Sequence, residues 1–233
     1  MLDGGFIRHK TLQMLRVSLS PCDRALPRAW EVVTNKGNVA LEVGDPLLDQ
    51  GALLLTRMRR VTVLADRGVR DRAWARQGRA LDWDSIIRLA NHTTITVPGG
   101  VGAAADCLGV TQGERRSLPH VRVTLEADGT GNLVITWRRA TPTCPAERCV
   151  LMTNRRPGGW VLRHDLKRKH SEESFRDDQS GRFDLHASHL MDAKRPDTLL
   201  LAIAIAVLWI YELGEHLLRA DRRKEIDPPT TAN

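Results

Sequence analysis

Two acidic positions a hundred residues apart are the side chains in this sequence best suited to shared chemistry. Asp66 closes the apolar run Val61-Thr-Val-Leu-Ala65, and Glu172 and Glu173 lie in Ser171-Glu-Glu-Ser-Phe-Arg-Asp-Asp178. An acid where a strand surfaces and an acid on a helix can face one cleft from two elements, and oxygen ligands of that kind hold a hard divalent cation. Neighbouring helical residues point about 100° apart, so one of Glu172 and Glu173 enters such a site while the other is solvated or paired. Local alternatives stand beside this reading. Asp66 can cap a following helix or pair with Arg67 or Arg70, and Glu172 with Arg176 has the spacing of a helix-surface ion pair worth a few tenths of a kcal/mol.

The bulk of the chain bounds what these acids serve. Its 233 residues suffice for a substantial core, and 42% hydrophobic with 27% charged residues marks a globular chain. Thirty-five Lys and Arg against 28 Asp and Glu give a net charge of +7. That surplus favours a polyanionic partner through counterion release, or else is a well-solvated basic surface. Cys22, Cys107, Cys144 and Cys149 are scattered, with no second pair at zinc-ligand spacing, which fits a reducing cytoplasm. The apolar run Leu199 to Tyr211 is shorter than the ~20 residues of a membrane span and is closed by Glu212, Glu215 and His216. It is expected to be a buried core helix, with no membrane partner.

The elements that must position the acids follow from pattern. Alternation predicts strands at 11–20 and 29–34, with a turn at Asp23–Pro27. Asp45 with Pro46 predicts a helix start, running to about Met58. Val61–Ala65 predicts a strand covered on both faces, followed by a helix from about Asp71 to Ala80 and a strand at 84–89. Residues 91 to 150 are rich in Gly and Pro, and the alternation in 120–126 and 132–138 predicts a hairpin within a β-rich insertion. A strand at 150–154 and helices from about Leu162 complete the chain, with a break at Gln179-Ser-Gly181 and a frayed tail from Arg219. This is the grammar of an α/β layer with a mixed sheet.

The order of these signals resembles the DDE transposases of the insertion-sequence-four group, across about residues 3 to 215. Leu15-Arg-Val-Ser-Leu19 with Arg24-Ala-Leu-Pro-Arg-Ala-Trp30 is similar to that family's early strands. Leu64-Ala-Asp66-Arg67-Gly68 resembles its second-aspartate motif. Glu172 through Asp177, Ser180-Gly and Phe183 through Leu190 resemble its glutamate helix, and Leu199 to Gly214 its closing helix. The resemblance implies an RNase H-like mixed sheet flanked by helices, with a β-rich insertion before the glutamate helix. The core would then be residues 1–90 and 151–218, the insertion 91–150 and the tail 219–233.

The resemblance further implies metal-dependent cleavage and transfer of DNA strands, with Asp3, Asp66 and Glu172 as the metal-binding triad. The cofactor would be two Mg²⁺ ions, with Mn²⁺ able to substitute. Arg168, one turn before the glutamate, would contact phosphate with Arg88 and Arg176. The partner would be double-stranded DNA at transposon ends, bound by a possible homodimer in the bacterial cytoplasm and nucleoid. Two positions depart from the family. Asp165 stands where a tyrosine is usual and Gln179 where a lysine is, which removes phosphate-binding capacity. The chain also opens close to the first acid, so the N-terminal DNA-recognition region of such enzymes is expected to be absent. A truncated, catalytically inactive, DNA-binding remnant is the alternative from the same fold. A basic module that binds another protein, with structural acids, is the alternative from another class.

Overall fold

The computed structural model describes residues 1–8, 12–20, 24–34, 41–55, 60–66, 80–100, 102–104, 108–123, 130–140, 145–179, 183–188 and 194–222. Ten strands run β1 (Leu2–Arg8), β2 (Leu12–Leu19), β3 (Leu26–Thr34), β4 (Thr62–Ala65), β5 (Asp84–Leu89), β6 (Thr94–Thr96), β7 (Ala103–Ala104), β8 (Arg115–Val123), β9 (Thr130–Arg138) and β10 (Glu147–Thr153). The helices are α1 (Leu41–Leu55), α2 (Gly159–Leu166), α3 (Arg168–Gln179) and α4 (Lys194–Arg219), with a short 3₁₀ turn at Leu185–Ser188. The fold is mixed α/β, as expected.

All ten strands join one mixed sheet in the order β3-β2-β1-β4-β5-β10-β9-β8-β6-β7. β1, β2 and β3 form an antiparallel meander, whereas β4 lies parallel to β1 and β5 parallel to β4. Every pairing beyond β5 is antiparallel, beginning with β10 on β5. The Gly- and Pro-rich stretch from residue 91 therefore continues the same sheet. Within it, β8 starts at Arg115, five residues before the expected strand. Pro119 lacks an N–H, so the ladder to β9 slips between Leu118 and Val121, and His120 takes a positive φ of 52° while its N–H bonds Asn132 Oδ1.

β2 is buried almost throughout because both its faces are covered. Val17 meets α1, where a Cβ on Gly51 would lie 3.3 Å from its Cγ1. Leu12 and Met14 point the other way, into a core with Val32, Phe175, Leu185, Leu200 and Ile203. Arg16 shares that second face and is 2% exposed. It forms an ion pair with Asp178, equally buried, and its guanidinium lies 4.1 Å above the Phe175 ring. Burial pushes the Asp178 carboxyl above its ordinary range, and the nearby Arg16 opposes this without overcoming it. A second core joins Leu64, Ile86, Val134, Cys149 and Leu151 to Val161 of α2, and a third, on the opposite face, gathers Ile95, Val121, Leu133, Ile135 and Val150.

Two helices differ from the sequence expectation. α1 begins at Leu41, so Pro46 stands inside it instead of opening it, at the cost of one backbone hydrogen bond. α4 is 26 residues long, and only its inner side is a core helix. Pro196, Leu200 and Ile203 are buried, but Leu201, Ile205, Trp209, Ile210 and Leu213 are each more than half exposed. The expectation of a short, buried apolar helix is therefore corrected. Pro196–Arg219 is long and apolar enough, by length and composition, to cross a membrane. Hydropathy had reported the residues, not what covers them. The helix expected at 71–80 lies outside the described residues except for residue 80, and so does the break at 179–181 beyond Gln179, where α3 ends. Of the turn expected at 23–27 only Asp23 is outside, and Leu26 and Pro27 already belong to β3.

Removing one partner of a buried ion pair strands the other charge, whereas replacing both with apolar residues of like volume is often neutral. Asp178→Asn is therefore expected to lower unfolding free energy by about 3 kcal/mol, measured by urea denaturation. Arg16→Met with Asp178→Leu should return most of that loss. A double variant as unstable as the single one would show that the pair's charge is not what matters.

Candidate active site

Asp66 owes its position to the three residues before it. Val63, Leu64 and Ala65 are all buried, which fixes β4 and leaves Asp66 at its carboxyl end, where the chain surfaces. β1 lies alongside with Leu2 opposite Ala65, so the next step of the two parallel backbones brings position 3 beside position 66. Asp3 and Asp66 are thus the residues that follow the paired Leu2 and Ala65, while the Asp3 side chain lies outside the description.

Glu172 arrives from α3. That helix turns Arg168, Ser171, Ser174, Phe175 and Asp178 inward, the three- and four-residue spacing of one helical face. Phe175 and Asp178 seat its second half on β2 through the core and the Arg16 pair. The first half is seated by Arg168, which is 11% exposed. Its Nη1 lies 2.5 Å from Glu172 Oε1, one turn along, and 3.8 Å from Asp66 Oδ1. Its Nε lies 4.0 Å from Asp165 Oδ1. A single guanidinium thus lies within 4.0 Å of carboxylate oxygens of Asp66, Glu172 and Asp165. Burial works to lower the Arg168 pKa, but the charges of Asp66 and Glu172 outweigh it and the net direction is upward.

Arg168 does not fully satisfy Asp66. Its Oδ1 is buried and has no hydrogen-bond partner, because 3.8 Å to Arg168 is an electrostatic contact and too long for a hydrogen bond. A carboxylate oxygen left this way costs free energy unless a cation or donor meets it. Glu172 is half exposed.

A second arginine stands one strand over. Arg88, 5% exposed on β5, forms an ion pair with Glu147 of β10. Burial would lower its pKa, but the Glu147 hydrogen bond and then the nearby Cys149, Glu147 and Asp165 reverse the direction. Cys149 Sγ in turn lies 3.8 Å from Asp165 Oδ2. Arg88 and Arg168, for which a phosphate contact is expected, each pair with carboxylates in this structure. Both are buried against carboxylates, because a guanidinium under a sheet and helix needs opposite charge close by. Arg176 is exposed on the outer side of α3, and Glu172 reaches back to Arg168 instead of forward to it.

Asp165 and Glu147 are the members that sequence reasoning missed. Asp165 had a signal, its three-residue offset from Arg168, beside the loss of phosphate-binding capacity that its place in the sequence implies. Glu147 had none, since its partner is 59 residues away in sequence. Among the described residues, no group of three or more His, Cys, Asp or Glu stands close enough to hold a metal ion. No family model and no curated protein sequence matches this chain.

Because Arg168 neutralises a cluster of carboxylates, Arg168→Met should cost about 3 kcal/mol of stability at pH 7. Carboxylates left facing one another bind protons more tightly when folded than when unfolded. Their penalty is then absent below the ordinary carboxylate range and grows as pH rises through it. Urea denaturation of the variant and the parent should therefore converge toward pH 4 and diverge toward pH 7. A gap independent of pH would mean that Arg168 acts by packing alone.

Proposed function

We propose that this chain is a DDE-type transposase catalytic domain with an RNase H-like core, which cleaves and joins DNA strands with divalent metal. The observation that carries this reading is that Asp66 from a strand end and Glu172 from α3 meet the same guanidinium, that of Arg168, with Asp3 following the Leu2 that pairs with Ala65. The strand order β3-β2-β1-β4-β5, an antiparallel meander followed by two parallel strands, supports the RNase H-like part. The net charge of +7 supports a DNA partner.

The donor set suits Mg²⁺ or Mn²⁺ in chemistry. Asp66 and Glu172 supply hard oxygens, and the buried Asp66 Oδ1 lacks a donor. Asp66, Glu172 and, by its place in β1, Asp3 would hold the ions. Bound there, divalent cations supply activation of a water or 3′-hydroxyl and stabilisation of the leaving oxygen at phosphorus. Arg168 bonds Glu172 and lies near Asp66 without bonding it, so its guanidinium would have to leave Glu172 for that carboxylate to hold a cation. Once released, it is a planar fork at the mouth of the cleft, suited to a phosphate. Asp165 and the buried base of Arg168 limit how far that side chain travels.

The inactive remnant is favoured by one observation, the seating of Arg168 between the acids with Asp165 as a third partner. An internally neutralised cluster holds its fold without metal. Nicking of supercoiled plasmid separates the readings. The transposase reading expects Mg²⁺- or Mn²⁺-dependent nicking that falls at least about 100-fold in Asp66→Asn, the scale set by losing a group that acts on the transition state. Equal background for the two proteins, with salt-dependent duplex binding intact, would leave only the remnant. Absence of both nicking and duplex binding would point to the protein-binding module.

A further inference from the structure

A cavity of about 280 Å³ lies between the last residues of β2 and the first residues of β4. It is lined from both faces of the sheet. Val17 and Ala65 are both register partners of Leu2 and share one face, so Ser18 and Leu64 lie on the other. α1 covers the first face, where Gly51 meets Val17, and α2 covers the second, where Val161 packs with Leu64. The cavity is therefore apolar toward α1, with Val17, Leu55 and Val63 in its wall. Toward α2 it is polar, with Ser18 and, at the end of that helix, Lys167.

We propose that this cavity binds a small monocarboxylate whose aliphatic body, of about six to eight carbons, fills the apolar end. Ser18 is 1% exposed, and its Oγ has no hydrogen-bond partner. A buried hydroxyl in that state costs free energy that an acceptor placed in the cavity would remove. Charge gives the sign of that acceptor. Among the described residues the acidic and basic side chains lining the cavity, His164 aside, are Arg60 and Lys167. Both are cationic and both are exposed, so they stand where the cavity meets solvent.

One buried hydroxyl and cations at the mouth match the two oxygens of a carboxylate, one accepting from Ser18 and the other facing Lys167 or Arg60. A phosphate has more oxygens to satisfy than this single buried donor serves. The volume is at the lower end for ligand pockets, which limits the occupant to about ten heavy atoms. The proposal does not depend on the DNA-cleaving reading, since Asp66, Glu172 and Arg168 do not line this cavity.

Isothermal titration calorimetry of the full chain with octanoate tests it, beside octanol, acetate and inorganic phosphate. Octanoate should bind saturably at one site per chain, with the other three at least about tenfold weaker. Ser18→Ala and Lys167→Gln should each weaken octanoate about tenfold, the scale of one hydrogen bond to a charged group. Removing an unpartnered hydroxyl takes away no contact, so Ser18→Ala should match or exceed the wild type in its urea midpoint. A lower midpoint would make the hydroxyl structural and overturn the proposal. Octanol bound as tightly as octanoate would leave an apolar void without anion recognition. Acetate or phosphate bound as tightly would leave surface cations alone. Either result overturns the proposal, as does octanoate binding that fails to saturate or that both variants retain.

Discussion

One guanidinium organises the centre of this molecule. Arg168 is nearly buried, and a buried cation must be surrounded by opposite charge or leave the interior. Its partners come from the end of β4, from the last turn of α2 and from the next turn of α3. Meeting that one requirement ties the central parallel strands to the helices that cross them. It also concentrates carboxylates to a degree that neither the strand nor the helix would tolerate alone.

The same arginine is kept in place from the far end of its helix. Asp178, ten residues on, pairs with Arg16 under the Phe175 ring, so α3 is pinned to β2 at one end and to β4 at the other. Most of the inward face of α3 is polar, and its seating is therefore electrostatic more than hydrophobic. Such a helix gains less from burial than an apolar one, but its rotation is specified, since a slip of one residue would strand several charges. The Arg88–Glu147 pair repeats the device between β5 and β10 and extends the polar layer toward Cys149 and Asp165.

Much of the central sheet could be read from residue order. Val61–Ala65 is a short apolar run, and Thr62–Ala65 of it is β4, buried from Val63 on. Asp84–Leu89 and the alternation around Leu133 gave strands where strands stand. Asp66 follows a strand and Glu172 stands on a helix, the elements that local pattern predicts for them. What could not be read was pairing over distance. Nothing near Arg16 announces Asp178, and nothing near Arg88 announces Glu147, because ion pairs across a sheet leave no periodic trace. The exposure of α4 was illegible for a related reason. An apolar residue signals that it needs cover, and the chain does not state who provides it.

The account rests on Asp66 and Glu172 forming one cation-binding cleft in which Arg168 stands in for metal. Titration of Mn²⁺ with the purified chain, followed by the paramagnetic resonance signal of the free ion, tests this without requiring turnover or DNA. Saturable uptake that is lost in Asp66→Asn and in Glu172→Gln, and strengthened in Arg168→Gln, is the predicted result. Uptake unchanged by either acid substitution, or no uptake even with Arg168 replaced, would contradict it.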